Sequence, residues 1–316
     1  MIDRVLVLSQ RNSQVWRHMS ADVAHGFRRL GYDVEFLEEP CTKKPVEEFW
    51  GEVQANQIEN PPDLIFVMGH IRSAYPYGLW NGDAVFATWV QDWVAWTIGQ
   101  DPEQERMVDK FNTSKDVIFY SFPALGKSIV EQGFDEGRVH FLPPGANTDR
   151  FFSSSPTDGP FTIGFPNNVG APMTAQDPVR LRKRLDPVEW ALELGVPIKL
   201  WGVGWDLMEN TKPHWQGLVK NGPQLRRAYQ SCHAILHANT DLVLYHQRPM
   251  EALACGRPVL CYGKLEHTLH GAIGFNNKKE FESAVEWAKE PRTITLNPEN
   301  DYVARCKEVL RAVSGL

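Results

Sequence analysis

Short, uninterrupted apolar runs, each followed by a polar or glycine-containing break and then a helical stretch, leave this chain few folds to choose from. Val5–Leu8 gives way to the polar Ser9–Ser13 and then to a helix over about Trp16–Leu30, with Val23, Phe27 and Leu30 on one face. Gly31 ends that helix, and Tyr32–Leu37 reads as the next strand. A helix over Pro45–Gln57 follows, then strands over Leu64–Met68, Val85–Val90, Val117–Tyr120 and Val139–Leu142, with a helix from Ser121 to Val130. Strands buried on both faces and joined by helices make parallel sheets. The alternation to this point fits one doubly wound α/β domain. No GxGxxG follows the first strand, which argues against a nicotinamide or flavin dinucleotide fold.

Pro143-Pro144-Gly145-Ala146-Asn147 breaks the series with the punctuation of a linker, and a second series follows. It comprises a strand over Phe161–Phe165, a helix over Pro187–Leu194, a strand over Ile198–Gly202, a helix over Gln224–Cys232 and a strand over Ala234–Ala238. Helices over Phe281–Lys289 and Tyr302–Val313 close the chain. At 316 residues two domains can each bury a core. The expected division is 1–150, 151–300 and a terminal helix over 301–316 that packs back on the first domain.

A hydrophobic content of 42% and a charged content of 23% are those of a globular chain. The net charge of -6 offers no global attraction to nucleic acid or to an anionic membrane. Arg180, Arg182, Lys183 and Arg184 form the densest basic stretch, and a solvated helix face is its ordinary meaning. Five cysteines without a CxxC pair argue against a disulfide framework or a zinc site. The apolar run at the N-terminus is too short for a signal-peptide core, and none approaches the roughly 20 residues of a membrane span, so a cytoplasmic location is expected. Tryptophans cluster at Trp89, Trp93 and Trp96 and at Trp201, Trp205 and Trp215; such rings fill cores and also stack on sugars and bases.

The stretch from Tyr245 to Leu260, YHQRPMEALACGRPVL, reads as a polar loop, a short helix, a glycine stop and a buried strand. Gly256 stands where a helix C-terminus needs positive φ, and Pro258 where the helix cannot continue. Arg248 and Glu251 are left near the helix start, where open α/β sheets bind ligands. An arginine there neutralises phosphate, and a carboxylate accepts hydrogen bonds from a ribose diol; an internal Arg/Glu salt bridge is the plainer alternative.

This segment resembles the donor-binding motif of GT-B fold glycosyltransferases, most closely the spore-maturation glycosyltransferase-like (glycosyl transferases group 1) family, in which Arg-x-x-Glu precedes Ala-Cys-Gly. Pro143–Phe152 is similar to the passage that joins the two halves of such enzymes. The resemblance implies an α/β GT-B fold of two Rossmann-like, doubly wound domains facing one cleft. It also implies a metal-independent transferase with no cofactor, which moves a sugar from a nucleotide-diphosphate donor to an acceptor hydroxyl. The acceptor is a glycan, a metabolite, a protein or, as in phage-type DNA glycosyltransferases, a modified DNA base. A nucleotide-sugar epimerase and a non-catalytic GT-B-like binding subunit are the rival readings.

By place in the motif, Arg248 is assigned to the diphosphate and Glu251 to the ribose, with Tyr245, His246 and Gln247 in the preceding loop near sugar or phosphate. Gly204 and Trp205 follow a strand and form a base-side wall, unless Trp205 is a core residue. Asn167 follows the first strand of the second domain, where a loop approaches phosphate or simply turns. In the first domain His70 and Asp92 both follow strands, and either can serve as general base on the acceptor. The alternatives are a structural histidine and a helix cap. Asn12 and Ser13, after the first strand, face acceptor or phosphate. Eight residues before Glu251, where retaining GT-B families often carry another glutamate, this chain has Val243, which leaves the stereochemistry open.

Overall fold

The computed structural model describes residues 2–9, 14–38, 46–57, 59–69, 82–90, 102–154, 157–169, 178–238, 246–263 and 269–315. The chain divides into two compact units, Met1–Pro144 with Tyr302–Leu316, and Gly145–Asp301.

The first unit is built on β1 (Arg4–Ser9), β2 (Asp33–Glu38), β3 (Leu64–Met68), β4 (Val85–Val90), β5 (Val117–Tyr120) and β6 (Val139–Phe141). These lie in the order β2-β1-β3-β4-β5-β6, each pair parallel. Helices α1 (Gln14–Arg29), α2 (Val46–Asn56), α3 (Pro102–Thr113) and α4 (Pro123–Glu131) follow β1, β2, β4 and β5 in turn. Every residue of β3 is buried, as a central strand covered on both faces requires.

The second unit runs β7 (Ile163–Pro166), α5 (Pro178–Glu193), β8 (Ile198–Trp201), α6 (Pro223–Gln230), β9 (Ala234–Ala238), α7 (Gln247–Ala254), β10 (Val259–Tyr262), β11 (Ala272–Phe275) and α8 (Lys278–Lys289). Its sheet, also parallel, has the order β11-β10-β9-β7-β8. The chain steps outward from β7 to β8 and then crosses back to β9 on the other side of β7. The strand order therefore reverses between β7 and β9, and open α/β sheets bind ligands beyond the strand ends at such a point.

Two local features shape this unit. Helix α5 begins at Pro178, nine residues before the expected start, and carries Pro187 in its interior. The proline removes one helical hydrogen bond. Continuity is kept by Leu181, Leu185, Val188 and Ala191, which stay in phase against one core, and by Arg182, which bridges Asp186 and Glu189 on either side of the proline. Helix α7 ends in a Schellman motif: Gly256, at φ 74°, donates to the Leu253 carbonyl and Arg257 to that of Ala252. That stop turns the chain directly into β10.

The last helix, α9 (Tyr302–Ser314), follows the second unit in sequence but belongs to the first. Tyr302, Cys306, Val309 and Val313 complete the core built by Val5, Phe27, Phe66 and Trp89. The approach to α1 is close enough that a Cβ on Gly26 would lie 2.8 Å from the Tyr302 carbonyl oxygen. No helix among the described residues is long and apolar enough to cross a membrane.

Candidate functional site

At the carboxyl ends of β7 and β8 two loops are fastened to one another. Asn167 donates its backbone N–H to the Trp201 carbonyl at 3.0 Å, and Val169 donates to that of Val203 at 3.0 Å. The Asn168 side chain accepts the Val203 N–H at 2.9 Å. Gly202, at φ 121°, lies against this crossing, where a Cβ would stand 2.6 Å from the Asn167 carbonyl oxygen. Only glycine fits there. Trp205 lies fully buried beside Phe165, with ring centroids 5.6 Å apart, and its indole N–H donates to the Asn167 carbonyl. The base-side wall expected of Trp205 is thus not open: the ring is a core residue that holds Asn167. Gly204, left-handed at φ 97°, forms the turn into Trp205 and is buried.

The Asn167 side chain is left to meet Arg248, whose Nη1 donates to Asn167 Oδ1 at 2.7 Å. Arg248 stands in the first turn of α7, behind the N-cap residue His246, whose side chain makes no cap bond. Backbone N–H groups there carry the positive end of the helix dipole. Among the described residues Arg248 forms no ion pair with a carboxylate. A small pocket opens between the end of β7 (Phe165–Asn167), the end of β9 (Ile235–His237) and Arg248 and Pro249 of α7. It lies at the reversal of strand order.

Glu251 lies nearly one turn beyond Arg248 on the same side of α7 and is buried in the core. Its carboxylate is 1% exposed, accepting the Tyr229 hydroxyl at 3.0 Å and the Asn221 amide at 3.4 Å. Arg150 in turn donates to Asn221 at 2.9 Å. The carboxylate expected to meet the ribose is thus engaged by Tyr229 and Asn221 in this structure. Neither does Glu251 form an ion pair with Arg248. Gln247 is buried, and the His246 ring tilts against His237 with centroids 4.9 Å apart. Tyr245, His70, Asp92, Asn12 and Ser13 lie outside the described residues.

Sequence reasoning missed His237. It occupies the fourth position of the otherwise apolar β9, Ala-Ile-Leu-His-Ala, and a polar residue inside a strand buried on both faces was the signal to follow. Burial first, then the neighbouring His246 and Arg248, hold its imidazole well below the usual histidine value, so it is neutral at pH 7. The thiols of Cys255 and Cys261 are each pushed up to about 12 by burial and stay protonated, which leaves them as small apolar fillers. Among the described residues no group of three His, Cys, Asp or Glu side chains is placed to hold a metal ion.

Residues 182–299 match the family described as glycosyl transferase-like. None of the curated proteins matches the chain. Among solved structures, a glycosyltransferase from Rickettsia africae superposes with a TM-score of 0.65 at 12% identity, covering 98% of each chain. HepE of Anabaena in complex with UDP-glucose gives 0.67 at 14% identity, covering 99% of this chain and 100% of that one. The UDP-GlcNAc 2-epimerase of Methanocaldococcus jannaschii gives 0.56 at 12% identity, covering 99% of each. The chain has the GT-B fold of two Rossmann-like units. The stretch of the second unit that is similar to the glycosyl transferase-like family contains Arg248, His237 and the fastened loop after β8.

Proposed function

We propose that the protein transfers a sugar from a nucleoside-diphosphate donor to an acceptor hydroxyl, with Arg248 neutralising the diphosphate. The observation that carries this reading is a guanidinium fixed by Asn167 beside a pocket at the strand reversal and left without a carboxylate partner among the described residues. A positioned cation of this kind stabilises charge as it develops. When the sugar carbon parts from the diphosphate, the leaving oxygen gains negative charge. Arg248 and the N–H groups of the first turn of α7 face that charge without having to reorganise.

The same arrangement supports a metal-independent transfer, because the protein's own cation and helix end meet the leaving group. On the sequence alone, His70 or Asp92 is proposed as the base on the acceptor hydroxyl, with Asn12 and Ser13 on the acceptor side. A modified DNA base is the least favoured acceptor. Of the basic stretch near 182, Arg182 is engaged by Asp186 and Glu189, and Arg184 donates to the Val169 carbonyl at 3.1 Å.

The test is incubation with UDP-, GDP-, ADP- and dTDP-sugars in EDTA, following nucleoside diphosphate release and binding by calorimetry. Release or binding with one donor, abolished in Arg248→Ala, is expected. Binding that survives this substitution, or silence across all four, would sink the assignment. Release of free epimerised sugar would point to an epimerase, and tight binding without turnover to a non-catalytic subunit.

A further inference from the structure

The diphosphate assignment leaves one lining residue of the pocket unused. His237 is 8% exposed, and its Nε2 is buried without a hydrogen-bond partner among the described residues. A buried polar atom left unmatched is costly, and folded chains tolerate few of them unless a ligand or water completes the set. The ring lines the same pocket as Arg248 and Asn167, at the end of the strand that forms one side of the reversal.

Resting on the reading of Arg248, we propose that His237 is a second ligand-binding residue of this pocket. Its neutral imidazole donates a hydrogen bond to a phosphate oxygen of the nucleotide-sugar and takes up a proton as that ligand binds.

The surroundings of the ring support both parts. From α7 it faces His246, at 4.9 Å between centroids, and the Arg248 guanidinium. From β10 its register partner is Cys261, whose thiol is neutral. From β7 come the apolar Phe165 and Pro166 and the amide of Asn167. None of these groups is a carboxylate, and both His246 and Arg248 disfavour an imidazolium. A diphosphate reverses that balance. Its negative charge offsets Arg248 and favours the protonated ring, which presents N–H donors on both nitrogens.

The sign follows from linkage. The histidine pKa is depressed in the free protein and raised in the complex. Binding therefore takes up a proton in the window between the two values, and affinity tightens as pH falls into it. The phosphates of a nucleotide-sugar are diesters that stay ionised across neutral pH, so proton uptake reports the protein and not the ligand.

The experiment is calorimetry on the full chain with UDP-glucose, GDP-mannose, ADP-glucose and dTDP-glucose in turn, in two buffers of different ionisation enthalpy. For the donor that binds, Kd is expected to tighten roughly tenfold from about pH 8 to about pH 6, with proton uptake approaching one per site. His237→Gln should weaken binding roughly tenfold at about pH 6 and flatten the pH profile. His237→Leu should weaken binding similarly and raise Tm by about 2–4 °C, because it removes the unmatched polar atom. A merely structural histidine would give a lower Tm and an unchanged Kd.

A wild-type Kd that is flat with pH, with no proton uptake, overturns the proposal without recourse to any variant. Wild-type-like binding in His237→Gln, with Arg248→Ala still silent, overturns it while leaving the diphosphate assignment standing. No binding of any of the four donors by the wild type overturns both.

Discussion

Two arginine-bearing helices of the second unit differ in what they do with their charge. Helix α5 has the densest run of basic residues in the chain, yet Arg182 is taken up by Asp186 and Glu189 and Arg184 by a backbone carbonyl. Helix α7 offers a single arginine, and that one is held by a neutral amide with no carboxylate in reach among the described residues. The lesson is that charge density along a sequence says little about anion binding. What counts is whether the cation is already neutralised by its own fold, and whether its geometry is fixed by a partner that leaves the charge intact.

The sharpest way to break this comparison is to delete the cation of α7. Arg248→Ala is expected to weaken nucleotide-sugar binding at least about 100-fold, or about 3 kcal/mol, with Tm unchanged. Calorimetry and a melting curve together check this, and a large loss of Tm would mean that Arg248 is structural. Next comes the support beneath it. Gly202→Ala forces a side chain onto the Asn167 carbonyl from a left-handed backbone, and should lower stability by about 2–3 kcal/mol in urea unfolding. Because Asn167 holds Arg248, donor affinity should fall with it.

Glu251→Ala leaves the Tyr229 hydroxyl buried and unmatched, at an expected cost of about 2 kcal/mol. If instead the variant keeps its stability and loses only ribose discrimination, the inward reading of Glu251 is wrong. The smallest effect belongs to the other arm of the comparison. Arg182→Ala removes an exposed pair, should cost less than about 1 kcal/mol, and should leave donor binding untouched. A measurable loss of affinity there would erase the contrast between the two helices.

Much of this was legible in the chain. The strands Leu64–Met68, Val85–Val90, Val117–Tyr120, Ala234–Ala238 and Val259–Tyr262 lie where their apolar runs are, because a strand buried on both faces is apolar over most of its length. Gly256 as a helix stop was legible for an equally local reason. Helix α3 was not expected: among its described residues the buried stripe is Met107 and Phe111, too thin to read. Strand β11, Ala-Ile-Gly-Phe, lies at the sheet edge with a glycine inside it, and carries almost no strand signal of its own. The early start of α5 was hidden by Pro187, which read as a beginning although long-range packing carries the helix through it.

The site was legible only in part, and for a different reason. Arg248 could be placed from its neighbours in sequence, because the loop–helix–strand unit that presents it is local. Asn167 and His237 reach the pocket from strands brought together by a crossover, and which way each side chain turns depends on partners about 80 and about 10 residues distant. Glu251 shows the limit most plainly. Its place in the motif suggested a ribose contact, but its burial and its bond from Tyr229, on another helix, could not be read from local sequence.

The placement of α9 bears on how the protein is made. The ribosome delivers the first sheet early, but Trp89, Phe27 and their neighbours lack Tyr302, Cys306 and Val309 until the whole second unit has been translated. The second unit can close on its own residues as they emerge, whereas the first waits with apolar surface uncovered for the length of that delay. Chains stalled or cleaved before Tyr302 would therefore carry a finished second unit and an unfinished first, the kind of half-made product that chaperones hold and proteases remove.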